Sequence, residues 1–173
     1  MGAIMSLPHF SADAWKYVFN TPLESGLRCT VLLVAGYPMR CDLQRLAQYE
    51  YLLVHSGDVN NGPASLHPAG PHRAGELLVR RGVVERGLHF MMARSIICRQ
   101  LDGNGMTFFA GEWAVPFLDN LQSDYTATMR ERAAWVVATF IGMSNDELNQ
   151  FMRSNWSNWG SEFSDEFFLA GNL

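Results

Sequence analysis

Three histidines, His55, His67 and His72, fall within the 22-residue stretch "HSGDVNNGPASLHPAGPHRAGE", with Asp58 among them and Pro68 directly after His67. Imidazole is the commonest metal ligand and the side chain that titrates nearest neutral pH, and a nearby carboxylate can orient it. The chemistry to consider is therefore a metal site or a general base. A zinc site needs three or four ligands, often in close pairs. His67 and His72 are five positions apart in a loop rich in glycine and proline, and no HExxH, HxH or CxxC accompanies them. The spacing favours a structural loop, in which Pro68 holds His67 extended and the imidazoles hydrogen-bond to fix its course. His55 falls near a helix C-terminus, where an imidazolium would suit the macrodipole. His89, beside Phe90 and Met91, reads as a packed side chain.

Other reactive groups are no better placed. Ser65 and Ser95 lack a GxSxG setting, and Cys29, Cys41 and Cys98 form no CxxC pair. The glycines of "DGNG" are too few for a phosphate loop, and no GKS or GKT follows. No catalytic residue, metal ligand or cofactor is assigned, and a non-enzymatic role is expected.

The elements that would position these residues are mostly helical. In "TPLE", Thr21 can cap a helix, Pro22 suits its first turn and Glu24 completes a capping box. Leu23, Leu27, Val31, Val34 and Ala35 then recur at helical spacing, carrying the helix to about Tyr37 before Pro38. Asp42 caps a second helix, "LQRLAQYEYLLVHS", with Gly57 as its stop. Beyond the histidine loop, helices are expected at about 72–81 and 83–94, with a break near Gly82. Two β-prone runs, 96–101 and 106–110, flank Asp102-Gly103-Asn104-Gly105, a hairpin signal. A short helix around Pro116 follows, then a long one capped by Ser123 or Asp124, then one with a Ser144–Glu147 capping box.

Helices followed by a hairpin are the order of a winged helix. The expected fold is mainly α, with a winged-helix-like core and additional C-terminal helices. It divides into an N-terminal arm (1–20), a winged-helix-like domain (21–121) and a C-terminal helical extension with an aromatic-acidic tail (122–173).

Composition bounds the partners. The chain has 173 residues, 48% hydrophobic and 17% charged, below the globular charged average of about 25%. That leaves surplus apolar surface, for which a permanent partner is a natural explanation. The formal net charge of −4 argues against a freestanding nucleic-acid binder. The longest apolar run, 31–35, is far too short to cross a membrane. With no signal peptide and no disulfide framework read in the sequence, a reducing cytoplasm is the expected compartment.

Charge is uneven along the chain. Arg73, Arg80, Arg81, Arg86, Arg94 and Arg99 face only Glu76 and Glu85 between residues 73 and 99, whereas 112–173 holds nine acids and three arginines. Arg80, Arg81, Arg86, Arg94 and Arg99 are the expected contact residues, to protein first and DNA second. Trp156, Trp159, Phe163, Phe167 and Phe168, interleaved with Glu162, Asp165 and Glu166, are a second expected docking surface.

The order of these pieces is familiar. "FNTPLESGLRCTVLLVAGYPMRCDLQRLAQYEYLLVHSGDV", then "SLHP", then "HRAGELLVRRGVVERGL", then the hairpin, resembles the middle component of ABC-three-component systems, the Lamassu-type prokaryotic anti-phage defence systems. The resemblance covers roughly residues 19–120, and 121–173 carry no matching signature. It implies a small non-catalytic subunit that bridges or regulates an SMC- or Rad50-like ATPase subunit and a separate effector, a nuclease. DNA would then be reached through the complex, with no membrane involved. Two rivals stand beside it: a DNA-binding winged-helix transcriptional regulator, and a metal-dependent enzyme built on the histidine loop.

Overall fold

The computed structural model describes residues 21–67, 73–103 and 105–159, with the side chains of 73–78 and 156–159 outside that description. Within it the chain is mainly helical, with one antiparallel hairpin. The order is α1 (Pro22–Ala35), α2 (Leu43–Val54), a 3-10 turn (Ser56–Asp58), α3 (Arg73–Met92), β1 (Ile97–Asp102), β2 (Gly105–Ala110), α4 (Ala114–Asp119), α5 (Asp124–Phe140) and α6 (Asn145–Trp159).

The helix starts follow from their capping residues. The Thr21 hydroxyl accepts from the Glu24 N–H at 3.3 Å, and the Glu24 carboxylate accepts from the Thr21 N–H at 3.2 Å. Asp42 accepts from the Arg45 N–H at 2.7 Å, Ser123 caps α5, and Ser144 and Glu147 cap α6 reciprocally. Each such cap stabilises by about 1 kcal/mol. Two ends come earlier than expected: α1 stops at Ala35, and α2 stops at Val54 with His55 as its C-cap.

The expected break at Gly82 does not occur, and α3 runs unbroken for 20 residues. Arg80, Val84, Leu88 and Met91 form one buried stripe across that position. A mid-helix glycine costs about 1 kcal/mol relative to alanine, which is less than interrupting such a stripe would cost. α3 lies closest to α1, and there the two backbones nearly touch. A Cβ added at Gly87 would sit 2.5 Å from the Pro22 carbonyl oxygen, and one at Gly26 would sit 2.7 Å from that of Gly87. Only glycine permits that approach.

The hairpin pairs Ile97 with Ala110 through Asp102 with Gly105, and Gly105 takes the positive φ of 107°. Cys41, between α1 and α2, adds an isolated antiparallel bridge to Phe108 on the outer side of β2. The core is one contiguous cluster. It joins Leu32 and Leu33 of α1, Leu46 and Leu52 of α2, Leu88 of α3, Ile97 of β1, Leu118 of α4, Val136 and Phe140 of α5, and Leu148 and Met152 of α6. Arg45 fastens the last two helices to α2. Its guanidinium donates to the carbonyls of Phe140 (3.1 Å) and Met143 (2.5 Å) and to the Asn145 side chain (2.7 Å).

Candidate functional site

Arg28 on α1, Glu50 on α2 and Arg80 on α3 meet at the centre of the helical layer. The Glu50 carboxylate takes the Arg28 Nε on one oxygen and the Arg80 Nη1 on the other, both at 2.5 Å. Relative exposures are 2% for Arg28, 0% for Glu50 and 5% for Arg80. Burial alone would push the Glu50 carboxyl up. The guanidinium groups of Arg28 and Arg80 overcome it and hold the carboxyl down at about 2. Burial, then the Glu50 carboxylate, raises the adjacent Cys29 thiol well above its usual value. The buried Cys41 thiol is pushed up to about 12 by burial. Neither thiol is a nucleophile at neutral pH. The Arg80 guanidinium also lies 5.5 Å above the Tyr51 ring.

The described part of the histidine loop, residues 55–67, folds back on the end of α2. Leu66 and His67 both donate their N–H groups to the Val54 carbonyl, at 2.9 and 3.1 Å, tying the loop to the end of α2. Gly57 N–H donates to the Ser65 hydroxyl at 3.1 Å, and the Ser56 hydroxyl donates to the Ala64 carbonyl at 3.3 Å. His55 is buried with its ring 4.8 Å from that of Tyr51, and the Tyr51 hydroxyl donates to the Asp58 carboxylate at 2.9 Å. His67 Nε2 is 2.9 Å from the Tyr125 hydroxyl of α5, with the two rings stacked at 15°. Burial first, then the charges of Arg28, His55 and Arg80, lower the His67 imidazole to about 4, so it is neutral at pH 7. His67 thus pairs with Tyr125 at the loop, Glu50 joins Arg28 to Arg80 beneath, and the Arg28 charge acts on His67 and Tyr125 alike. Pro68 and His72 lie outside the described residues. Among the described residues, no three of His, Cys, Asp and Glu converge to hold a metal ion.

The five arginines singled out in the sequence separate. Arg80 is inside, paired with Glu50, and not on the surface where the sequence reading puts it. The reason is its place on the stripe that continues through Val84, Leu88 and Met91. Arg81 is half-buried. Arg86, Arg94 and Arg99 are exposed. Arg94 holds the end of α3, donating to the Phe90 carbonyl at 3.0 Å with its guanidinium 3.8 Å above the Phe90 ring. Arg40, not singled out before, is also exposed. It lies 4.5 Å above the Phe109 ring and bonds the Gln100 side chain.

Sequence reasoning passed over Arg28 and Glu50. Both interrupt apolar stripes, Arg28 four residues before Leu32 and Glu50 four after Leu46, and that interruption was the available signal. Of the expected docking surface, the side chains of Trp156 and Trp159 and the whole of Phe163, Phe167 and Phe168 lie outside the described residues, as does the arm 1–20. Among the described residues, no helix is long and apolar enough to cross a membrane.

No curated protein and no solved structure matches the chain. A family model does match, that of middle component 2 of ABC-three-component (ABC-3C) systems, over residues 18–162. With most of its length matched, the chain belongs to the family of ABC-three-component system middle component 2.

Proposed function

We propose that the chain is a non-catalytic accessory subunit of a prokaryotic anti-phage defence complex of the Lamassu type. It would act in the cytoplasm, bridging or regulating an SMC- or Rad50-like ATPase and its effector nuclease. The observation that carries this reading is the family membership over residues 18–162, since a middle component works with the other components of its system. The described histidines support it: His55 and His67 are engaged in packing and loop closure. Arg86, Arg94 and Arg99, with Arg81 beside them, form the proposed contact face. The aromatic-acidic tail is a second proposed contact.

Co-expression with the products of the neighbouring genes tests the reading. A stable complex is expected, weakened by Arg94→Glu or Arg99→Glu. A monomer that associates with none of those products would overturn it.

One observation favours the DNA-binding alternative. The Cys41 bridge lies between the first two helices and joins the hairpin, which supports a winged-helix reading of 21–121 with α3 as its third helix. On that reading the isolated chain binds duplex DNA in a salt-sensitive way, because phosphate contacts release counterions. The net charge of −4 weighs against it.

A further inference from the structure

We propose that the outer edge of β1 is a strand-addition site for an extended acidic segment of a partner polypeptide; the proposal rests on the accessory-subunit reading. Both backbone groups of Phe108 are engaged with Cys41, its N–H donating at 2.7 Å and its carbonyl accepting at 3.0 Å. They therefore point away from β1. Arg99 is the register partner of Phe108, so this is a non-hydrogen-bonded pair, and the Arg99 N–H and carbonyl point away from β2. Alternation extends this to Leu101, opposite Met106. The residues from Arg99 to Asp102 are exposed, and Leu101 is 71% exposed. Cys41 already occupies the far side of β2, so among the described residues β1 is the edge that remains open.

An open edge presents donors and acceptors at the repeat of an extended chain, which selects that conformation before any side chain is read. Charge selects the kind of segment. Arg99 extends from one face of β1. Arg40 covers the other, bonded to Gln100 and seated over Phe109. Among the described residues, neither arginine is within ion-pair distance of a carboxylate. Successive residues of an added strand point to opposite faces. Two adjacent acidic residues would therefore meet Arg99 and Arg40, one on each face. Leu101 would pack beside an apolar residue next to that pair.

The test uses the full chain co-expressed and purified with the other components of its system. Amide hydrogen exchange at Arg99 and Leu101 is compared in the assembly and in the chain alone, and slowing in the assembly is expected. Leu101→Pro deletes an outward N–H and leaves the hairpin's own bonds at Gln100 and Asp102 in place. Losing that bond weakens association by about tenfold, whereas Leu101→Thr, which keeps the N–H, weakens it by less than about threefold. A thermal melt of Leu101→Pro checks its fold, and if it does not fold, the exchange data on the unaltered chain decide.

An assembled complex with unchanged exchange at both amides overturns the proposal and leaves the accessory reading intact. So does a Leu101→Pro variant that assembles normally. Failure of the unaltered chain to assemble overturns both. Protection produced by duplex DNA alone, or by self-association of the chain, overturns the proposal in favour of those occupants.

Discussion

Arg80 and Arg86 stand six residues apart on α3 and share a residue type, a charge and a helix. One lies against a carboxylate in the core; the other lies in solvent. What separates them is the angle each takes around the helix axis. Arg80 continues the stripe through Val84, Leu88 and Met91 toward α1 and α2, and Arg86 falls on the opposite side. Local excess of arginine is therefore a poor guide to a contact surface until the buried face is known. Of the described arginine side chains in this stretch, Arg86, Arg94 and Arg99 are exposed, while Arg80 joins three helices through Glu50.

The sharpest way to break this contrast is to remove each side chain. Arg80→Ala or Glu50→Ala leaves a buried charge inadequately paired, and truncating one partner of such a group costs about 3–5 kcal/mol. Arg86→Ala, on the exposed side, is expected to stay within about 0.5 kcal/mol of the parent. Urea denaturation of the three variants reads the difference. If Arg80→Ala and Arg86→Ala give the same midpoint, the buried triad has no special place in the fold. Arg80→Met separates charge from packing, because it fills the volume but leaves Glu50 with Arg28 alone.

Acid sharpens the same comparison. Glu50 is depressed in the folded protein to about 2 from the ordinary 4.5. A depressed carboxylate contributes stability that is complete above the unfolded value and is lost as pH falls through the folded one. The stability at stake is on the order of 3 kcal/mol. His67 adds an earlier window. Its folded value, about 4, lies below the ordinary 6.5, so the unfolded chain takes the proton first and stability declines as pH falls between them. Denaturation midpoints from pH 7 to pH 3 should fall in two overlapping steps. His67→Phe is expected to remove the upper step and leave the lower. A single step that His67→Phe does not alter would show that His67 does not couple to folding.

The fold was largely legible because capping residues and periodicity act locally. Thr21 with Glu24, Asp42, and Ser144 with Glu147 mark helix starts whatever surrounds them, and Asp102-Gly103-Asn104-Gly105 marks the hairpin. The site was less legible because its parts are far apart in sequence. Nothing near Arg80 says that Glu50, thirty residues earlier, waits across a helix interface. Nothing near His67 names Tyr125 as its neighbour. Gly82 misled for the same reason, since local propensity favours a break and only tertiary burial on both sides of it carries the helix through.

Two glycines of α3 give smaller effects than the buried triad, and opposite ones. Gly87 faces α1 across a gap that no Cβ can enter. Gly87→Ala forces the helices apart, an overpacking cost of about 1–3 kcal/mol. Gly82 lies on the side where, among the described residues, an added Cβ meets only Arg86 Nη1, at 3.6 Å, an ordinary contact with a movable side chain. Its helical backbone suits alanine, and alanine narrows the unfolded ensemble. Gly82→Ala should therefore stabilise by about 0.4–1 kcal/mol, seen as a small rise in melting temperature. Destabilisation by Gly82→Ala would mean that α3 needs a pliable point there after all, and the unbroken helix would have to give way to the hinge that its sequence suggests.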